Sequence, residues 1–266
     1  MDLSKIKMQN LEEKGSRRRL SKTLRPRVHL SMEAVATALE SYRGRDRLVR
    51  TVCYSSRLLG GLQLASRNGR PELDRRLLRL SQELSSCRAT LRLFDDLSMF
   101  LYSREYGLGA AEEDAVIRWL SIVANMTDQL FYPCEHLAWA ADYKILSVNS
   151  SKWWTLSNVM WSLSLVLGAL RSLRVLQLLK KKLKRDQKGH LGTGELRALD
   201  NYRVRKQAET LNLISNLSDL ANAVHWMPPG FLWAGRFPEW LVGLLGTISS
   251  LISLHQMCVS NASKDP

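Results

Sequence analysis

Three side chains with catalytic or metal-binding potential stand side by side in "YPCEHLAW": the thiol of Cys134, the carboxylate of Glu135 and the imidazole of His136. A thiol next to an imidazole could act as a nucleophile and its base, and all three types ligate metals. Adjacent residues on a helix point about 100° apart, however, so the three do not converge. The carboxylate pair Asp95 and Asp96 fails for the same reason. Cys53, Cys87, Cys134 and Cys258 are scattered without C-x-x-C spacing, which argues against a zinc site or a disulfide framework. Phosphate-binding glycine loops, the G-x-S-x-G elbow and H-E-x-x-H are absent. The expectation is a protein that is not an enzyme, with no catalytic residues, no metal and no cofactor.

A second pattern does physical rather than covalent work. In "ELDRRLLRLSQELSSCRATLRLF", residues 72–94, Leu73, Leu77, Leu80, Leu84, Cys87, Leu91 and Phe94 recur at alternating intervals of four and three. That spacing keeps them on one stripe of a helix. Arg75, Arg76, Arg79 and Arg92 lie off the stripe and Arg88 beside it. An apolar stripe opposed by guanidinium groups suits a helix lying in a membrane interface, with leucines in the acyl boundary and arginines on phosphates. The same stripe also fits the inner seam of a helical bundle. The formal charge of +14 requires an anionic partner, lipid headgroups or nucleic acid.

Two apolar segments favour lipid. Residues 153–170, "WWTLSNVMWSLSLVLGAL", carry no charge between Lys152 and Arg171, about 27 Å of helix against a hydrocarbon core of about 30 Å. Beyond it the pattern turns amphipathic, with Leu170, Leu173, Leu176, Leu179 and Leu183 opposite Arg171, Arg174, Lys181, Lys184 and Arg185. From Trp240 to Ala262 no Asp, Glu, Lys or Arg occurs, and Trp226, Phe231, Trp233, Phe237 and Trp240 form an aromatic belt just before it. Gly243, Gly246, Thr247 and Ser250 give this second segment a small-residue face suited to close helix packing.

The chain accordingly reads as an all-α integral membrane protein with an N-terminal bundle of amphipathic helices and two short hydrophobic spans. Its expected divisions are a disordered basic tail (1–31), an amphipathic helical region (32–150), a first membrane segment (151–179), a basic loop (180–206), an amphipathic helix with an aromatic interfacial turn (207–236), a second membrane segment (237–262) and a short tail (263–266). In the helix after the basic loop, Asn212, Asn216, Asp219 and Asn222 form a polar stripe opposite Leu213, Leu217, Leu220 and Val224.

Several long phrases, "ALESYRGRDRLVR" (38–50), "CRATLRLFDDLSMFLYSREYGLG" (87–109), "DQLFYPCEHLAWAADYKIL" (128–146), "WWTLS" (153–157) and "LSDLANAVHWMPPGFLWAGRFPEWLVGLLGTISS" (217–250), closely resemble the peroxin-11 family of peroxisomal membrane proteins, in its gamma branch. The resemblance covers roughly residues 34–256, and Met32 stands where such proteins would start. It implies a multi-pass peroxisomal membrane protein that promotes elongation, proliferation and fission of the organelle. It also implies an anionic phospholipid surface as partner, homo-oligomers, hetero-association with other family members, a dynamin-related GTPase with its membrane adaptor, and a peroxisomal membrane protein import receptor, but no nucleic acid. The membrane-inserting face then maps to Leu73, Leu77, Leu80, Leu84, Leu91 and Phe94, and phosphate binding to Arg75, Arg76, Arg79, Arg88 and Arg92. The basic cluster Lys180, Lys181, Lys182, Lys184 and Arg185 is a candidate targeting signal.

Topology divides the two lines of reading. The family is described with both termini in the cytosol, which puts residues 171–236 in the lumen. The cations that closely follow the first span, against only Lys144 and Lys152 before it, put that loop in the cytosol by the positive-inside rule. A pore for small metabolites, hinted at by the polar stripe, and a soluble helical nucleic-acid binder are the competing functions.

Overall fold

The computed structural model describes residues 39–66, 71–110, 112–186 and 195–262. The basic tail 1–31 and residues 263–266 lie outside them. Among the described residues every regular element is a helix: α1 (Tyr42–Ala65), α2 (Pro71–Leu91), a 3-10 turn (Arg92–Phe94), α3 (Asp96–Tyr106), α4 (Ala115–Asp142), α5 (Ser150–Asp186), α6 (Glu195–His225) and α7 (Glu239–Ala262).

Local chemistry fixes the ends. The Ser41 hydroxyl accepts from the Gly44 N–H at 3.1 Å and opens α1, and the Asp114 carboxylate does the same for Ile117 at 3.0 Å to open α4. Gly107 ends α3 with a φ of 53°, a conformation that a Cβ would oppose. At 37 residues α5 is about 56 Å long and outruns the bilayer core. The basic loop expected over 180–206 is therefore shorter than its composition suggested. Lys180–Asp186 continue α5, whose carbonyl end favours cations, and 195–206 open α6, which leaves 187–194 outside the described residues.

The long helices form a ring in which neighbours run antiparallel. Arg171 of α5 donates to Ser121 of α4 at 3.1 Å, and at the other end Trp154 donates to Asp142 at 2.6 Å. Asn158 of α5 donates to the Ala223 carbonyl of α6 at 2.9 Å, and Ser172 to Glu209 at 3.0 Å. From α6, Asn222 donates to the Val242 carbonyl of α7 at 3.1 Å, while Gln256 of α7 donates to Asn212 at 2.7 Å. Arg57 of α1 pairs with Glu239 of α7 at 2.6 Å, and Arg88 of α2 with Asp46 of α1 at 2.8 Å. Arg92, just after α2, closes the ring on Glu135 of α4.

The small-residue face of α7 packs on α1. A Cβ at Gly243 would sit 2.3 Å from the Leu58 nitrogen, and one at Gly246 would sit 2.1 Å from the Tyr54 ring. Backbone this close leaves no rotamer to absorb a larger side chain, so Gly243→Leu separates α1 from α7. The expected cost is about 3 kcal/mol, the upper end for overpacking. A fall in the thermal midpoint of the detergent-purified protein, with new proteolysis within α1, checks it.

Candidate membrane-contacting surfaces and the polar core

On α2, the residues turned toward the bundle are Asp74, Ser81 and Arg88, with Ser81 taking the Cys53 thiol at 3.2 Å through its carbonyl. Most of the leucine stripe flanks this contact; Leu77 joins it, its Cβ 3.2 Å from where a Cβ on Gly60 of α1 would stand. Leu73 and Leu80, and Phe94 in the 3-10 turn that follows, stand outward, Phe94 at 75% exposure, while Leu77, Leu84 and Leu91 are half-buried. The predicted inserting face is thus divided into an outer rank open to a bilayer and an inner rank shared with the fold.

The arginines divide as well. Arg75, Arg76 and Arg79 are exposed, Arg76 in a surface pair with Glu72 at 3.0 Å of the kind that adds little stability. Arg88 and Arg92 depart from their expected place among lipid phosphates. They turn inward, onto Asp46 and onto a Glu135 that is only 2% exposed. Both carboxylates lie on other helices, and a buried charge must find such a partner. Glu135, Cys134 and His136 diverge as the helix geometry requires, for His136 faces Asp96 at 3.2 Å and Cys134 is buried. Among the described residues no His, Cys, Asp and Glu side chains gather as a metal set.

The two apolar segments are long enough to cross a bilayer: Ser150–Arg185 and Glu239–Ser260. On α5, Leu156, Val159, Leu163, Val166, Leu170 and Leu173 form a continuous exposed stripe. Beside it α4 exposes Val116, Trp119, Val123, Met126 and Leu130 at the same alternating spacing. Where the leucines face out, the cations face in. Arg174 binds Asp114 at 2.8 Å, and Arg171 approaches Glu112 and Glu209 at 3.6 and 3.7 Å. The Arg174 guanidinium and the Ile117 N–H together hold the Asp114 carboxyl below the usual carboxylate range. The basic cluster Lys180, Lys181, Lys182, Lys184 and Arg185 is exposed at the end of α5.

The polar stripe of α6 lies inside the ring. Asp219 receives Arg50 at 2.7 Å, and Arg50 also donates to Ser249 at 2.9 Å. Asn222, 1% exposed, reaches α7, and Asn216 lies against Gly168 of α5. Sequence periodicity revealed this stripe but not its partners. Nearby, a cavity of about 910 Å³ lies within the ring, lined among others by Arg50, Arg88, Arg92, Asp128, Asn158 and Trp226. Beside it an aromatic cluster closes the turn between α6 and α7. Trp161 stacks on Trp226 at 5.9 Å, and Phe237 lies between His225 and Trp233 at 5.5 and 6.1 Å.

Residues 32–258 match the family model for Peroxisomal biogenesis factor 11 (PEX11). The chain is 54% identical to human Peroxisomal membrane protein 11C over 229 residues, 85% of this chain and 94% of the relative. Identity to the mouse protein of the same name is 53% over 228 residues, 85% of this chain and 93% of that one. Human Peroxisomal membrane protein 11A is more distant, at 27% over 157 residues, covering 59% and 62% of the two chains. No solved structure matches.

Proposed function

The chain belongs to the PEX11 family, and from that premise we propose that it is a multi-pass peroxisomal membrane protein that elongates, proliferates and divides the organelle by inserting α2 into one leaflet. The observation that supports this is the outer rank of α2 and the 3-10 turn that follows: Leu73, Leu80 and Phe94 are free of the bundle while Arg75, Arg76 and Arg79 stand exposed beside them. A helix sunk 5–10 Å into one leaflet expands that leaflet alone, and the area mismatch favours curvature. The three exposed arginines are the phosphate-binding set; Arg88 and Arg92 are occupied within the fold. Alongside lipid, the partners are further copies of the chain, other family members, the dynamin-related GTPase with its adaptor, and an import receptor that reads the exposed Lys180–Arg185 cluster.

A second reading, a pore for small metabolites, is favoured by the arginine-lined cavity inside the ring. One experiment separates the two. Full-length protein reconstituted into anionic liposomes draws them into tubules, seen by electron microscopy, while trapped small anions stay inside. Release of trapped anions from vesicles that remain round favours the pore.

A further inference from the structure

We propose that the cavity inside the ring binds a phosphocholine group carried by a membrane lipid. The choice of a lipid as carrier rests on the membrane reading above, while the site itself rests on its lining.

Three guanidinium groups reach the cavity from different elements: Arg50 of α1, Arg88 of α2 and Arg92 of the 3-10 turn. Each is tied to a carboxylate on another helix through only part of its fork. Arg50 uses Nη2 for Asp219 and Ser249, whereas Arg88 and Arg92 use Nε and Nη2 for Asp46 and Glu135. Among the described residues nothing accepts from Nη1 of any of the three. The planar arginine fork matches the oxygens of a phosphate, and here the ion pairs fix its place before a ligand arrives.

Charge decides against a simple anion. Asp219, Asp46 and Glu135 already balance the three arginines, and a fourth carboxylate, Asp128 of α4, also lines the cavity. Asp128 has the Ser164 hydroxyl as a partner but no cation beside it among the described residues, and burial pushes its carboxyl above the usual carboxylate range. An inorganic phosphate would enter next to that uncompensated group, and a simple cation would leave the arginine donors idle. A phosphate joined to a positive group answers both.

The walls specify which positive group. Tyr132, Trp154, Trp161 and Trp226 line the cavity together with Asp128. The Trp154 indole N–H is committed to Asp142 at 2.6 Å, and Trp161 and Trp226 stack on each other, so these rings are held in place. Aromatic faces beside a carboxylate suit a quaternary ammonium, whose methyl groups donate no N–H hydrogen bond. At about 910 Å³ the cavity falls within the range of small-ligand pockets, about 300–1,000 Å³. Ser151 at the start of α5 and Trp226, Pro228 and Pro229 in the turn after α6 are lining residues that stand exposed. That turn carries the aromatic belt expected at headgroup depth, where lipid phosphates lie.

The test is isothermal titration calorimetry of the full-length protein in dodecyl maltoside, each ligand being referenced to empty micelles. The ligands are dihexanoyl lipids with choline, ethanolamine or glycerol on the phosphate, and free phosphocholine. The parent chain binds the choline lipid at one saturable site, about tenfold more tightly than the other two lipids. Asp128→Asn keeps the side-chain volume, weakens the choline lipid about tenfold and leaves the thermal midpoint of the ligand-free protein unchanged. Heats that match empty micelles, or equal affinity for the three lipids, overturn the site on the parent chain alone. An Asp128→Asn protein that binds the choline lipid like the parent overturns it as well. Free phosphocholine binding as tightly as the lipid supports the site and overturns the lipid as its carrier. Alkaline carbonate extraction from peroxisomes keeps the premise separate: release into the supernatant defeats the membrane reading, while retention without saturable binding defeats only the site.

Discussion

Replacing Leu73 and Leu80 together by glutamate abolishes peroxisome elongation on overexpression and leaves the chain on the organelle in the carbonate-resistant fraction. Both side chains are outside the bundle, at 38% and 45% exposure, so their loss removes little packing. Burying a leucine in an apolar phase is worth about 1.5–3 kcal/mol, and a glutamate in its place adds a desolvation cost. With about two-fifths of each side chain left to bury, the pair weakens insertion of α2 by a factor of about 10 or more, since 1.4 kcal/mol is roughly tenfold. Leu77→Glu with Leu84→Glu is the less discriminating variant, because both leucines are half-buried and Leu77 lies against Gly60 of α1. Normal tubules from the Leu73, Leu80 double variant, scored by fluorescence microscopy at matched expression, would remove α2 as the wedge.

Asp219→Ala should destabilise the protein by about 3–5 kcal/mol, the usual result of leaving one half of a buried ion pair behind. Arg50 lies in the interior of the ring, over the Tyr54 ring at 5.5 Å, with Asp219 as its carboxylate partner. Without Asp219 its charge keeps the Ser249 hydroxyl and the Tyr54 ring but no carboxylate. The expected measurement is a much lower thermal midpoint in detergent and reduced steady-state abundance in cells. Arg50→Met combined with Asp219→Leu should recover part of the loss, since a neutral apolar pair of similar volume replaces both charges. If the single variant melts like the parent, the ion pair does not hold α1 to α6.

Much of this was legible in the sequence, and the boundary between legible and hidden is physical. The stripe at 72–94 and the two apolar segments are local patterns, set by residues three or four apart, and the helices carry them where expected. Which side of a helix faces inward is a long-range property. Arg88 and Arg92 resemble Arg75 and Arg79 in any local window, and only Asp46 and Glu135, 42 and 43 residues distant, draw them into the ring. The polar stripe of α6 was visible for the same reason as the leucines of α2. Its meaning was not, because Arg50 and Ser249, which give it partners, are 169 and 30 residues away from Asp219. The lysine-rich end of α5 misled through composition, since charge alone says nothing against a helix that has already been nucleated.

The seam between α1 and α7 also sets an order of events in the life of the chain. Arg50 and Arg57 find their α7 partners 199 and 182 residues downstream. During synthesis the first helix can dock on α2, but its face toward α7 stays uncovered until the last helix leaves the ribosome. Completion of the ring is therefore post-translational, and until then the exposed apolar flanks of every earlier helix call for an escort in the cytosol.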